Sequence, residues 1–224
     1  MTVIRTAAFL LIVLSVSPES SFAGLDEPHQ TLCDCSSSVR VAFTQPSVSL
    51  VSEGNEEDGL PLSVHAEADQ RRWVYVIIHH SATSAGSVEG IHANHRQRRD
   101  SSGNLWLGIG YHFVIGNGKG MPDGQIESTF RWRQQLHGAH SGSAVHNANG
   151  IGVCLIGNFE ENAPTAEQLK SVTHLVASLS SRYKIPARLI IGHKTVKPTA
   201  CPGKYFPLQD VVRNAVSKAT SDNR

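Results

Sequence analysis

Net charge is what this sequence lacks most plainly, since Lys and Arg total 20 against 19 Asp and Glu in 224 residues. Without a basic or acidic excess there is no electrostatic reason to expect a nucleic acid or an acidic membrane surface as partner. The short basic run Arg96, Arg98, Arg99 reads as a solvated helix end. Long hydrophobic runs are missing too. The apolar stretch from Ala7 to Val16 falls short of the about 20 residues that a bilayer span needs, and no later stretch could span, so a transmembrane anchor is not expected. There is no internal repeat. Cysteine is scarce, at four, and Leu32 precedes Cys33 where a bacterial lipoprotein signal would want a small residue, so no lipid anchor is expected. An even count in an oxidising compartment invites a disulfide reading. The state of Cys33 and Cys35 stays open, while Cys154, in a strand-like apolar run, and Cys201 read as reduced.

What is present begins with an address. Arg5, the apolar run and the ending Ser21-Phe22-Ala23 have the build of a secretory signal peptide over residues 1–23. Export to the periplasm or beyond is the expectation, with a mature chain starting at Gly24. Residues 24–70 are rich in Ser, Glu, Asp and Gly and predict a low-complexity, disordered linker. A folded domain is expected over 71–219 and a polar tail over 220–224. The 40% hydrophobic composition supports one core.

Within that domain, Val74 to Ile78, Tyr111 to Ile115, Ile151 to Ile156 and Leu189 to Ile191 are apolar, β-branched runs that predict buried strands. Ser87 to Arg99 predicts a helix whose stripe is Val88, Ile91, His92 and His95, with both histidines read as packing. Thr165 and Gln168 form a capping box ahead of Leu169, Val172, Val176, Leu179 and Tyr183 at helical spacing. A last helix is expected from Leu208 to about Lys218. Strands alternating with helices give an α/β domain.

Histidine and cysteine supply the chemistry. The loop GHKTVKPTACPG places His193 and Cys201 eight positions apart, and the strand-like VYVIIHHSAT carries His79 and His80. Imidazole and thiolate suit zinc, and three protein ligands leave a fourth position for water, which separates a catalytic zinc from a closed structural one. The spacing matches no zinc-finger pattern. A His and a Cys in one loop also recur by chance, so these residues alone leave a buried Cys201 and a surface His193 open.

Four blocks stand in order along the chain: VIIHHSAT from Val76, IGYHFVI from Ile109, GAHSGSAVHNANGIGVCLIGN from Gly138 and GHKTVKPTACPG from Gly192. Together they resemble the zinc-dependent N-acetylmuramoyl-L-alanine amidase family, which includes phage lysozyme-type amidases and peptidoglycan recognition proteins. The likeness runs from Trp73 to Val216. It implies a single α/β domain with a central mixed β-sheet flanked by helices and a groove over one face. It also implies one Zn2+ per chain, held by His79, His193 and Cys201. His80 points to the opposite strand face and is the neighbour of a ligand. Tyr111 matches the catalytic tyrosine, Thr199 is its companion toward a developing oxyanion, and His140 and Asn147 fall where the family contacts the muramoyl peptide. The implied activity is cleavage of the amide between N-acetylmuramic acid and L-alanine, by a monomer acting on peptidoglycan or muropeptides.

Plainer readings stand beside these. Tyr111 also suits a strand rim, with its ring in the core and its hydroxyl in water. Trp132 suits the groove or a surface cap on the core, and Asn147, Asn149 and Gly150 suit a turn before a strand. Cys201, together with Val153-Cys154-Leu155 where some members carry a glutamate, points away from the members that recycle anhydromuropeptides in the cytoplasm. The rival function is a recognition module that binds peptidoglycan without cutting it. Such modules generally lose the cysteine ligand, which is present here.

Overall fold

The computed structural model describes residues 66–221, so the expected signal peptide, most of the expected linker with Cys33 and Cys35, and the last three residues lie outside the described part. Along the chain come β1 (Tyr75–His80), α1 (Val88–His95), β2 (Phe113–Ile115), β3 (Ile126–Ser128) and α2 (Phe130–Arg133). They are followed by α3 (Ala144–Asn149), β4 (Gly150–Leu155), α4 (Ala166–Tyr183), β5 (Ile190–Gly192), α5 (His193–Val196) and α6 (Leu208–Ser221). The strands form one mixed sheet in the order β3-β2-β4-β1-β5. β1 runs parallel to β4 and β5, β2 runs parallel to β4, and only β3 pairs antiparallel. This is the expected central mixed sheet with helices. None of the helices among the described residues is long and apolar enough to cross a membrane.

β1 and β4 lie side by side in the middle and are buried along most of their length, which is why they read as near-continuous apolar runs. One face of the sheet presents Val76, Ile78, Phe113, Ile115, Ile151, Val153 and Leu155 to α4 and α6, where Val172, Leu175, Val176, Leu179, Val211 and Ala215 complete the core. The capping box of α4 is intact: Thr165 Oγ1 accepts from the Gln168 N–H at 3.0 Å, and Gln168 Oε1 accepts from the Thr165 N–H at 3.2 Å. Gln168 also donates to the carbonyls of Ile115 and Ile156, clamping the helix start to the sheet. Glu67 and Ala68 already donate backbone hydrogen bonds to the Arg133 carbonyl.

Four expectations shift. Tyr111 precedes β2 instead of lying in it, because the His112 imidazole takes over the pairing there: Gly152 N–H donates to His112 Nδ1 at 2.9 Å, and His112 N–H donates to the Gly152 carbonyl at 2.8 Å. α1 ends at His95, short of the expected Arg99. A hairpin follows, in which Arg99 pairs with Leu105 and Asp100 Oδ1 accepts from the Ser102 and Asn104 amides. α6 runs on into the expected tail, to Ser221. Trp132 is neither groove wall nor surface cap. At 2% exposure it packs in the core against Trp73 and Phe113, with ring centroids 6.3 and 4.6 Å away.

Candidate metal centre

Parallel strands deliver the candidate ligands to one end of the sheet. His79 is near the carboxyl end of β1, and His193 opens α5 directly after β5, so both emerge where open α/β sheets place their sites. Cys201 arrives from the loop between α5 and α6. Its carbonyl accepts from the Lys194 N–H at 2.9 Å and its N–H donates to Thr199 Oγ1 at 3.3 Å, which fixes the loop on both sides of the thiol.

The donor atoms of His79, His193 and Cys201 all lie within 4.8 Å of one another. Cys201 Sγ is 3.6 Å from His79 Nδ1 and accepts from the His80 N–H at 3.4 Å. Tetrahedral zinc with bonds of about 2.0–2.3 Å spans ligand edges of roughly 3.3–3.6 Å, and the His79–Cys201 edge, at 3.6 Å, already has that length. His80 itself turns away and accepts from the Phe159 amide through Nδ1 at 3.1 Å. Burial pushes the pKa of His79 well down, helped by the neighbouring His140 and His193 rings, and burial lowers His193 as well. Both rings are therefore neutral and carry a lone pair for a metal. Burial pushes the Cys201 thiol up to about 11, so it gives up its proton only as a cation arrives. Nitrogen, nitrogen and sulfur in this arrangement fit zinc.

Around the triplet sits the segment from Gly138 to Gly150. His79 Nε2 is 3.0 Å from His140 Nδ1, His140 Nε2 is 3.2 Å from the Gly150 carbonyl, and His193 Nε2 is 3.0 Å from the Ser141 carbonyl. Asn147 Oδ1 accepts from the His140 N–H, the Ser141 N–H and the Ser141 hydroxyl. His140 and Asn147, expected to meet the substrate, thus have occupations inside the protein. Both ring nitrogens of His140 are engaged and the residue is 8% exposed.

Residues 69–204 match the family described as N-acetylmuramoyl-L-alanine amidase. The chain belongs to the N-acetylmuramoyl-L-alanine amidase family. Peptidoglycan-recognition protein SC2 of Drosophila melanogaster is 32% identical over 135 residues, which are 58% of this chain and 67% of that protein. The endolysin of Escherichia phage T7 is 29% identical over 133 residues, 57% of this chain and 78% of the endolysin. Among solved structures, the endolysin amidase LysCS from Clostridium intestinale URNW is similar with a TM-score of 0.51 at 29% identity, covering 70% of this chain and 89% of that one.

In this amidase-family chain a groove of about 880 Å³ opens beside the triplet, lined by Arg98, Trp106, Tyr111, His140, His193 and Lys197. A recess of about 370 Å³ adjoins it and shares His95, Arg98 and Tyr111. A cavity of similar size, about 920 Å³, lies between β3, α4 and α6 and shares no residue with the site. The Tyr111 ring stands 5.1 Å from His79 and 5.6 Å from His95, centroid to centroid, and the Tyr111 carbonyl accepts from the Thr129 hydroxyl at 2.7 Å. Burial raises the phenol well above its usual pKa near 10, so the hydroxyl stays a proton-bearing donor. Thr199 is exposed at the loop edge.

Two residues that support the site were not assigned to it from the sequence. Arg131, 2% exposed, donates to the carbonyls of Ile109 and His137, both at 2.6 Å, tying the Tyr111 loop to the His140 loop. His95, read as packing, accepts from the Gly110 N–H through Nδ1 at 3.0 Å and lines both recesses. A helical stripe could suggest the inward face of His95, whereas nothing local distinguishes buried Arg131 from solvated Arg133.

Proposed function

We propose that this chain is an exported zinc amidase that hydrolyses the amide between the lactyl group of N-acetylmuramic acid and the L-alanine of the peptidoglycan stem peptide. The observation that carries the reading is the convergence of His79, His193 and Cys201 on one point at the edge of a groove, with the half-buried Tyr111 phenol beside it. Zinc with three protein ligands lowers the pKa of water in its open position to about 7 and polarises a carbonyl.

The chain's own residues supply binding and a donor. The groove takes the muramoyl peptide, with Arg98 and Lys197 on its wall facing the carboxylates of the stem. Tyr111 donates to the amide oxygen as negative charge develops there, an effect of about 3 kcal/mol for one well-aimed donor. Thr199 accepts from the Cys201 N–H and keeps its own hydroxyl hydrogen for a second bond to the same oxygen. Water adds to the carbonyl carbon, the carbon–nitrogen bond breaks, and the amine of L-alanine leaves with a proton.

Mass spectrometry of digests of defined muropeptides tests the reading. Release of a free stem peptide beginning with L-alanine supports it. Unchanged substrate, retained tightly by zinc-loaded protein, would favour the recognition module instead. Export rests on residues 1–23, and N-terminal sequencing of protein recovered outside the cytoplasm is expected to start at Gly24.

A further inference from the structure

We propose that His140 is a positioning residue of the metal centre: it holds His79 in the form protonated at Nε2, so that the bare Nδ1 faces Cys201. The inference rests on the zinc reading above and changes what the block GAHSGSAVHNANG is for. Each step follows from who can donate. A carbonyl oxygen only accepts, so His140 Nε2, 3.2 Å from the Gly150 carbonyl, carries the hydrogen. A neutral imidazole has one N–H, which leaves His140 Nδ1 as an acceptor. That nitrogen is 3.0 Å from His79 Nε2, so His79 donates and its hydrogen is on Nε2. The remaining nitrogen of His79 is the one 3.6 Å from the Cys201 sulfur. Above the ordinary imidazole pKa of about 6.5 both rings are neutral.

The next residue does the same for the other histidine ligand. The Ser141 carbonyl takes the Nε2 hydrogen of His193, which leaves Nδ1 of that ring free as well. Asn147 then holds the pair. Its Oδ1 accepts from His140, Ser141 and the Ser141 hydroxyl, and its carbonyl accepts from the Gly138 N–H at 2.8 Å. Space is arranged to match: a Cβ at Gly138 would come within 2.3 Å of the His140 ring, and one at Gly152 within 2.6 Å. These glycines admit the imidazole edge-on between the loop and the sheet.

Outer partners of metal-bound histidines typically contribute 10–100-fold in metal affinity. Three measurements on the full chain test the assignment. In metal-free wild type at about pH 8, where an ordinary imidazole is neutral, long-range proton–nitrogen correlation spectra are expected to show His79 protonated at Nε2. Competition with a chromophoric chelator is expected to show His140→Phe binding zinc on the order of 10–100-fold more weakly. His140→Gln, which offers an oxygen to His79 and an N–H to Gly150, recovers most of that loss. The Michaelis constant of His140→Gln stays near wild type. A His79 proton on Nδ1 would overturn the proposal. So would a folded His140→Phe with wild-type zinc affinity and a raised Michaelis constant, the signature of a substrate contact. Wild type that takes up no zinc would sink the metal reading alone, because the spectra report the His79 tautomer without metal.

Discussion

On β1 and β4 successive residues alternate between two surroundings. Val76, Ile78, Ile151, Val153 and Leu155 turn to α4 and α6, where branched side chains fill the space. Their neighbours on the other face pair as Tyr75 with Gly150, Ile77 with Gly152 and His79 with Cys154. There the β4 residues, Gly150, Gly152 and Cys154, are small, and the His140 ring lies against Gly152. A side-chain period of two lets the same strands carry a core on one side and a candidate metal centre on the other. Damage to the first face is therefore expected to appear as lost stability, and damage to the second as lost zinc and turnover in a folded protein.

The largest separation is expected from Cys201→Ser. Serine keeps the size but not the thiolate, so zinc content drops to a small fraction and activity falls by more than about a hundredfold, beyond what outer partners contribute. Urea unfolding of the metal-free protein stays near wild type. Zinc content and activity both near wild type would remove Cys201 from the ligand set. Leu175→Ala is the counterpart on the apolar face. Leu175 is fully buried, and deleting a buried leucine costs about 2–5 kcal/mol. Its folded fraction is expected to bind zinc with unchanged affinity; a parallel loss of affinity would mean that the two faces are not separable.

Tyr111→Phe sharpens the comparison within the site face. The ring remains, so fold and zinc content hold, while kcat falls by roughly a hundredfold for loss of one transition-state donor. A raised KM with unaltered kcat would mean uniform binding, and full activity would return Tyr111 to packing.

How much of this was legible follows from how far each feature reaches along the chain. The strands, the α4 capping box and the order of the four blocks are local patterns, and they placed His79, His193 and Cys201 in segments that the fold brings together. What stayed hidden depends on pairs distant in sequence. Trp132 looks exposed between two arginines until Trp73 and Phe113 are placed against it. Tyr111 reads as a strand residue until the His112 ring is seen to take the backbone's place against Gly152. His140 offers a groove-facing imidazole in sequence, and only the glycines at 138 and 152 and the carbonyl at 150 show where its nitrogens are spent.

Acid acts on the imidazoles beside the site. His95 has its pKa lowered to about 4, chiefly by burial, with Arg98 and Arg131 adding to it, and His112 is also held well below its ordinary value by burial. A folded-state pKa below the unfolded one stabilises the protein at pH above the unfolded value, and that stability drains as pH falls toward the folded value. Urea unfolding of the metal-free protein is therefore expected to weaken from about pH 6.5 down to about pH 4. For His95 the loss is roughly 1–2 kcal/mol, less than the whole shift because the ring borders the solvent-filled recess. A flat profile across that range would mean that these rings bind protons as readily folded as unfolded.

The smallest effect is expected where the apolar side meets water, at the start of α4. Thr165→Ala removes the acceptor for the Gln168 N–H and the hydroxyl that donates to Asp123 at 2.6 Å. Loss of an N-cap costs about 1 kcal/mol, read as a shift in the urea midpoint with an unchanged slope. Gln168 still reaches the carbonyls of Ile115 and Ile156, so the helix keeps its seat on the sheet. Zinc affinity and kcat are expected to match wild type, because no bond of the cap touches the strand ends that carry His79 and His193. A change in either with so mild a loss of stability would show that α4 sets the position of β1 at its ligand-bearing end, and would join the two faces that the other variants are expected to keep apart.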